Sequence, residues 1–202
     1  CQNTALGMAS LDSNTTGDNN VAVGMQALLS NTTADNNSAV GYQALSVNST
    51  GHSNNAFGYR ALRCNTTASV NTAVGFCSLC ANTTAESNNA FGADSLKTNT
   101  TGGCNQAFGK SALEGNTTGA CNIAMGHYAM ASNSTGIGNV ALGHNALDSN
   151  TTANDNIAIG RLSICANTTG YSNISIGSYS SDANTTGFEN TVIGVSALGS
   201  NT

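Results

Sequence analysis

Apolar and polar residues recur along this chain with a period of 17 residues. A glycine marks the period and recurs without insertion or deletion from Gly7 to Gly194. When this glycine is numbered position 5 of the repeat, position 1 is Asn in all twelve copies and position 4 is always a large apolar residue. Position 3 is Ala in ten copies, and position 9 is Leu in nine. We therefore expect a single repeat domain over residues 1–202, with coil 1 starting at Asn3.

A repeat of 17 residues is too short for a pair of helices, which needs about 33 residues or more. It also carries a mid-repeat glycine and an Asn-Thr-Thr segment, both of which disfavour helix. The pattern predicts an all-β fold: a parallel β-solenoid, or β-roll, with two short strands per coil, at positions 2 to 5 and roughly 7 to 10. Parallel strands in register would stack the coils about 4.8 Å apart, giving a rod on the order of 55 Å long.

The large apolar residues at positions 4 and 9 predict the interior of the coil, with one contributed by each strand. The small residues at positions 3 and 8 would then lie on the opposite side of the strands. Solvent exposure does not require a small side chain, but the close approach of another surface does. These two rows therefore suggest a subunit interface, and packing within the coil itself is the alternative explanation.

The composition excludes several classes of function. Only 7% of the residues are charged, and the formal net charge is -5, so no basic face for nucleic acid or polybasic patch for a membrane surface is present. The sequence contains no apolar run long enough to cross a membrane. No nucleophile, base and acid can be assembled into a catalytic set, so an enzyme is the least favoured class, and we expect no cofactor.

The Asn at position 12 begins an N-[ST]-T motif in every repeat that reaches position 14. This motif is an acceptor for N-glycosylation in a secreted protein. The alternative is structural, because stacked Asn side chains form hydrogen-bonded ladders. The candidate glycosylation sites are Asn14, Asn31, Asn48, Asn65, Asn82, Asn99, Asn116, Asn133, Asn150, Asn167 and Asn184.

Seven cysteines favour disulfides and an oxidising compartment. Cys104 and Cys121 share position 17 in adjacent coils, and Cys64 and Cys80 also lie in adjacent coils, so each pair is a disulfide candidate. Buried free thiols are the alternative. Cys77 and Cys80 form a CxxC motif, but a single CxxC is weak evidence for a metal or redox site, and we predict no metal site.

Position 6 changes character along the chain, from apolar and aromatic residues in the first five coils to Lys and His later. If this column faces outward, it forms a contact stripe for a neighbouring copy or for a sugar ring, while partial burial is the alternative. The stripe consists of Met8, Met25, Tyr42, Tyr59 and Phe76. Position 16 changes in the opposite direction, from Asp18 to Phe188.

The run N-x-A-[VIFLM]-G-x-x-[AS]-L resembles the head repeat of YadA-like trimeric autotransporter adhesins and related tail-fibre and surface-fibre repeats. The matching stretches include NVAVGMQAL, NSAVGYQAL, NNAFGYRAL, NIAMGHYAM and NIAIGRLSI. The resemblance implies a left-handed parallel β-roll, usually trimeric, with an adhesive or fibre role.

These observations lead to a structural hypothesis: a secreted component of an extracellular fibre or filament, located outside the cell or on a cell or virion surface. Its partners would be copies of itself in a filament or trimer. The alternative is an adhesin or tail-fibre head that binds surface carbohydrate. A third hypothesis uses the flat Thr columns at positions 13 and 14 to bind ice or another crystal surface.

Overall fold

The computed structural model describes residues 2–199 and has twelve β-strands of three residues each. No helix occurs among these residues. The strands are β1 Thr4–Leu6, β2 Val21–Val23, β3 Ser38–Val40, β4 Asn55–Phe57, β5 Thr72–Val74, β6 Asn89–Phe91, β7 Gln106–Phe108, β8 Ile123–Met125, β9 Val140–Leu142, β10 Ile157–Ile159, β11 Ile174–Ile176 and β12 Thr191–Ile193.

Each strand pairs in parallel with the strand of the next coil, and the sheet order is simply β1 to β12. The register advances by one whole repeat, so Ala22 of β2 pairs with Ala39 of β3. Identical repeat positions therefore stack in columns along the rod. The predicted all-β parallel solenoid is confirmed.

The prediction of two strands per coil is wrong, because each coil has one strand, at positions 2 to 4. Positions 7 and 9 adopt left-handed backbone conformations, for example Gln26 with φ of 60° and Leu28 with φ of 50°. Few non-glycine residues adopt this conformation. Here it directs the N–H of Gln26 to Met8 O of the preceding coil (2.9 Å) and that of Leu28 to Ala44 O of the following coil (3.1 Å). The segment is therefore a turn hydrogen-bonded to both neighbouring coils.

The interior is built from positions 3, 8 and 9, so the prediction for positions 3, 4 and 8 is also wrong. Side chains alternate between the faces of a strand. Ala22 and the position-3 alanines that follow it, up to Ala158, are fully buried, as is position 9 from Leu28 to Ile164. Position 4 consequently faces outward, and Phe57 in that column is 41% exposed.

Two asparagine columns complete the interior. At position 1, Asn20 Nδ2 donates to Ala34 O (2.8 Å), while its Oδ1 accepts from the Asn37 backbone N–H of the next coil (2.9 Å). A side chain bonded in this way joins the two ends of its own coil and the coil that follows, and in this column the Nδ2 of Asn88 is buried without a partner. Buried polar groups are costly without partners, and this arrangement provides partners for both ends of the amide.

Position 5 is glycine because the folded coil leaves no room for a side chain there. At Gly92 the backbone φ is 134°, and a Cβ placed there would lie 2.5 Å from Gly109 O of the next coil. Any side chain would therefore clash with the neighbouring backbone as well as strain its own. Stacking in register imposes the same requirement from Gly7 to Gly177, which explains why the glycine marks the period.

Candidate functional site

The outer face of the sheet is the main surface feature of the rod. It is formed by positions 2 and 4 of each strand, because position 3 points inward. Position 4 is apolar in all twelve coils, and its members between two neighbouring coils are half-buried or exposed, as Phe57 (41% exposed) and Met125 (44% exposed) are. Neither position 2 nor position 4 carries a charged residue in any coil. A continuous, uncharged row thus runs along the rod.

A second row of exposed apolar residues occupies different repeat positions in the two halves of the rod. In coils 2 to 5 it is position 6, with exposed Met25, Tyr59 and Phe76. In coils 8 to 11 it is position 2, where every residue is Ile or Val, from Ile123 to Ile174. Exposed apolar residues therefore occupy different columns in the two halves of the rod.

The predicted contact stripe at position 6 lies on the surface, which favours outward orientation over burial. Met8 is 65% and Phe76 53% exposed. Tyr42 stacks on Tyr59 with ring centroids 5.3 Å apart, and Tyr59 stacks on Phe76 at 5.1 Å. The rings form a ladder along the rod, so their faces cover one another and their edges point outward.

Farther along column 6 the residues are basic. Lys110, His127, His144 and Arg161 are all exposed, and the imidazole centroids of His127 and His144 are 5.4 Å apart. No group of three or more potential metal ligands occurs within residues 2–199. Apolar residues at the far end of column 16 are also exposed, and Tyr171 stacks on Phe188 at 5.0 Å.

The asparagine column proposed for glycosylation lies inside the coil. Asn48 is fully buried, and its Nδ2, the atom that would carry a glycan, donates to Asn31 Oδ1 (3.1 Å) and Gly51 O (2.9 Å). Asn116 shows the same pattern, with bonds to Asn99 Oδ1 (2.7 Å) and Gly119 O (2.9 Å).

The other members of this asparagine column, from Asn31 to Asn184, are likewise buried, while Asn14 in the first coil is partly exposed. A glycan on these buried amides does not fit the folded coil, because it would replace the hydrogens that form the ladder. The geometry favours the structural alternative.

The two threonine columns beside this ladder differ. At position 13 the hydroxyl donates to the carbonyl of the same position in the next coil, as from Thr83 to Thr100 O (3.1 Å). At position 14 all eleven threonines, from Thr16 to Thr186, are exposed. Only column 14 is left to present its hydroxyls to the solvent.

The cysteines from Cys64 to Cys165 are free thiols, so neither predicted disulfide is present. Cys104 and Cys121 are exposed, whereas Cys64 and Cys80 are partly buried. Burial raises the pKa of Cys165, and the Asp182 carboxylate adds to this effect. Cys1 lies outside the described residues.

The rod offers no enclosed site. Within residues 2–199 we find no pocket, and no helix there is long and apolar enough to span a membrane. Any ligand would therefore meet a column of side chains on the surface.

Comparison with protein-family models, curated proteins and solved structures finds no match for this chain. The resemblance of its repeat to YadA-like heads consequently stays a prediction.

The apolar row at position 4 is the feature that sequence reasoning assigned to the wrong side. Its members range from Val40 to Phe57 in adjacent coils. A close-packed interior tolerates such volume changes poorly. Interior positions instead keep a nearly constant side-chain volume, as the alanines of position 3 do. This constancy is the sequence feature that indicates the interior.

Proposed function

We propose that this chain is a structural component of an extracellular fibre, in which copies of the rod associate through the exposed apolar face. The observation that carries the proposal is the continuous uncharged apolar row at position 4. Large exposed apolar patches mark interaction sites in soluble proteins. A row shared by every coil suits a partner that is itself elongated and repetitive, and a second copy of this chain meets that description.

The size of the face is sufficient for a specific contact between two copies. Twelve strands spaced about 4.8 Å apart and about 10 Å wide present roughly 550 Å². Two copies packed face to face would bury roughly 1,100 Å² in total, which clears the minimum of about 1,000 Å² for a biological interface and falls in the range of weak contacts. Sheets packed in this way lie about 10 Å apart with interdigitated side chains.

The extracellular location rests on the resemblance to surface-fibre repeats. It is tested by applying an antibody against the purified chain to intact source cells or particles. Labelling without permeabilisation supports the proposal, and labelling only after permeabilisation contradicts it. The proposal does not require glycans, because the asparagine column is already used by the internal ladder.

Self-association is tested by sedimentation velocity and negative-stain electron microscopy across a concentration series. The face variant carries Phe57→Lys and Phe91→Lys. The matched control carries Thr67→Lys and Thr101→Lys, which add the same charge at exposed position 14. We expect the unmodified chain and the control to form dimers or longer fibres, while the face variant stays monomeric with an unchanged circular dichroism spectrum. A monomeric unmodified chain at high concentration, or a face variant that associates equally well, would overturn the proposal.

A second candidate is an adhesin head that binds surface carbohydrate, and the exposed aromatic ladder favours it. The Arg60 guanidinium lies 5.0 Å from the Tyr59 ring centroid and adds a hydrogen-bond donor beside the tyrosine. The candidate ranks second because stacking covers the ring faces that sugars normally contact. A glycan-array signal that disappears in Tyr42→Ala and Tyr59→Ala supports it, and no signal from the unmodified chain contradicts it.

A further inference from the structure

Cys77 and Cys80 occupy positions 7 and 10 of coil 5, where the backbone makes a tight turn. The same turn in coil 4 is closed by a hydrogen bond from the Arg63 N–H to Arg60 O (3.3 Å). A turn of this kind holds its first and fourth Cα atoms within about 7 Å. That separation overlaps the range of about 4.4–6.8 Å found across disulfides.

Side chains at these two positions reach each other in other coils. In coil 6, Lys97 Nζ lies 3.1 Å from Asp94 Oδ1. In coil 9, Asn145 Nδ2 donates to Asp148 Oδ2 at 3.3 Å. Positions 7 and 10 therefore point to the same side of the turn, which brings the two thiols of coil 5 together.

The surroundings of Cys80 contain a third thiol. The backbone N–H of Cys64 in the preceding coil donates to Cys80 O at 3.1 Å. The thiols of Cys64 and Cys80 also lie close enough to Arg63 to raise the pKa of its guanidinium. Cys77 is buried, and burial, with the neighbouring Cys80 thiol, raises its pKa. A reagent from the solvent consequently meets Cys80 before Cys77.

We propose that Cys77 and Cys80 form an oxidisable dithiol, which a low-molecular-weight disulfide such as oxidised glutathione converts into an intracoil disulfide. The Cys80 thiolate attacks one sulfur of oxidised glutathione, forms a mixed disulfide and releases one glutathione thiolate. Cys77 then loses its proton to water, and its sulfur attacks Cys80 Sγ, which expels the second glutathione. The protein dithiol loses two electrons and two protons, and oxidised glutathione is reduced to two thiols.

Cys64 competes for Cys80 from the neighbouring coil. The geometry favours Cys77, because it shares one turn with Cys80, and side chains at these two positions of the turn meet in coils 6 and 9. The oxidised turn would be fixed covalently within coil 5. It would leave the hydrogen bonds between coils unchanged, whereas a bridge to Cys64 would tie two coils together.

The experiment uses the full chain with Cys1, Cys104, Cys121 and Cys165 replaced by Ser, so that only Cys64, Cys77 and Cys80 remain. The reduced protein is incubated with oxidised glutathione, quenched by alkylation and analysed by intact mass and peptide mapping. We expect a Cys77–Cys80 disulfide, with Cys64 alkylated or carrying glutathione. Dithiothreitol should restore all three thiols.

Single variants separate the competing pairs. Cys64→Ser should leave the Cys77–Cys80 bridge unchanged, and Cys80→Ser should leave Cys77 reduced. A Cys64–Cys80 bridge as the main product, glutathione adducts that never resolve into a Cys77–Cys80 bridge, or no reaction at all would each overturn the proposal. Circular dichroism before and after oxidation checks that the coil stays folded throughout.

Discussion

The residues that define this protein at the smallest scale are the buried asparagines. Leu and Ala supply only part of the interior, and the rest consists of two amide columns at positions 1 and 12. Each amide has two donor hydrogens and a carbonyl oxygen, which suits a site between two coils. Column 12 uses them for Asn99 Nδ2 to Asn82 Oδ1 (3.0 Å) and to Gly102 O (3.0 Å).

Replacing one of these amides by the isosteric acid should destabilise the rod strongly. In Asn116→Asp the side chain loses its Nδ2 donor, so Asn99 Oδ1 and Gly119 O lose a hydrogen bond and face a carboxylate. Each unsatisfied buried group costs about 1–3 kcal/mol. We expect the free energy of unfolding, measured by urea denaturation, to fall by at least about 2 kcal/mol.

The matched control for this change is Thr118→Ala. It removes the same glycosylation motif but alters an exposed side chain, so it should leave stability nearly unchanged. Equal stability of the two variants would contradict an internal ladder.

Asp148 gives a pH-dependent prediction. Burial raises its pKa, and the hydrogen bond from Asn145 and the charge of His144 offset this only in part. A raised folded pKa means that the folded state favours the protonated acid. The stability that comes from holding Asp148 in its protonated form is therefore fully present below the unfolded pKa of about 3.9. It is lost as the pH rises through the folded pKa, because the buried carboxyl then becomes charged. Asp148→Asn should raise the melting temperature at pH 7, and this advantage should disappear below about pH 3.9.

The comparison for Asp148 uses Asp12→Asn, which alters the same repeat position in coil 1 where the side chain is exposed. The melting temperatures of both variants are measured by circular dichroism at the two pH values. A stabilisation by Asp148→Asn that is as large at low pH as at pH 7 would contradict burial as its cause.

At the scale of the element, each coil consists of one short strand and a turn whose left-handed residues bond to both neighbours. A strand of three residues is too short to be stable alone. In the sequence, the segment around Gln26 and Leu28 looks like a strand. Its left-handed residues fall at positions 7 and 9, and this spacing of two matches the alternation of side chains along a strand. Only the neighbouring coils stabilise the left-handed conformations, through hydrogen bonds that a single coil lacks.

Because position 9 lies inside the coil and position 4 faces outward, truncating a position-9 side chain should destabilise the fold more than truncating a position-4 side chain. Leu96 is fully buried, whereas Phe91 in the same coil is 38% exposed. Leu96→Ala should lower the free energy of unfolding by about 2–5 kcal/mol because it leaves a cavity. Phe91→Ala should cost roughly 1–2 kcal/mol, because only part of its surface is buried. Urea denaturation of both variants as monomers measures the two losses in unfolding free energy. A larger loss in Phe91→Ala than in Leu96→Ala would contradict an outward position 4.

At the scale of the whole molecule, the period matters more than any single coil. Every coil contacts its neighbours through the same register, so stability is close to a sum over coils and their interfaces. The two halves of the rod differ mainly on the surface, where the second apolar row moves from position 6 to position 2.

Deletion of one whole repeat should therefore be tolerated. Removing residues 88–104, one full repeat of 17 residues, joins coil 5 directly to coil 7 in register. We expect this variant to keep the circular dichroism spectrum of the full chain, with a modestly lower unfolding midpoint. Removing residues 88–96 instead ends the deletion inside a repeat, and this variant should lose the cooperative transition. Equal behaviour of the two deletions would contradict stacking in register.

The sequence by itself determined the period, the parallel register and the all-β solenoid, because a steric requirement repeated in every coil leaves an unbroken pattern of residues. It also singled out the asparagine column, although it left an internal ladder and a glycosylation site equally open. The tertiary structure decided which face is inside. A strand of three residues alternates the same way in either orientation, and only closure of the coil turns Ala22 and Leu28 inward and leaves Val23 outside. The thiol cluster around Cys80 also depends on that closure, because it joins residues from two coils.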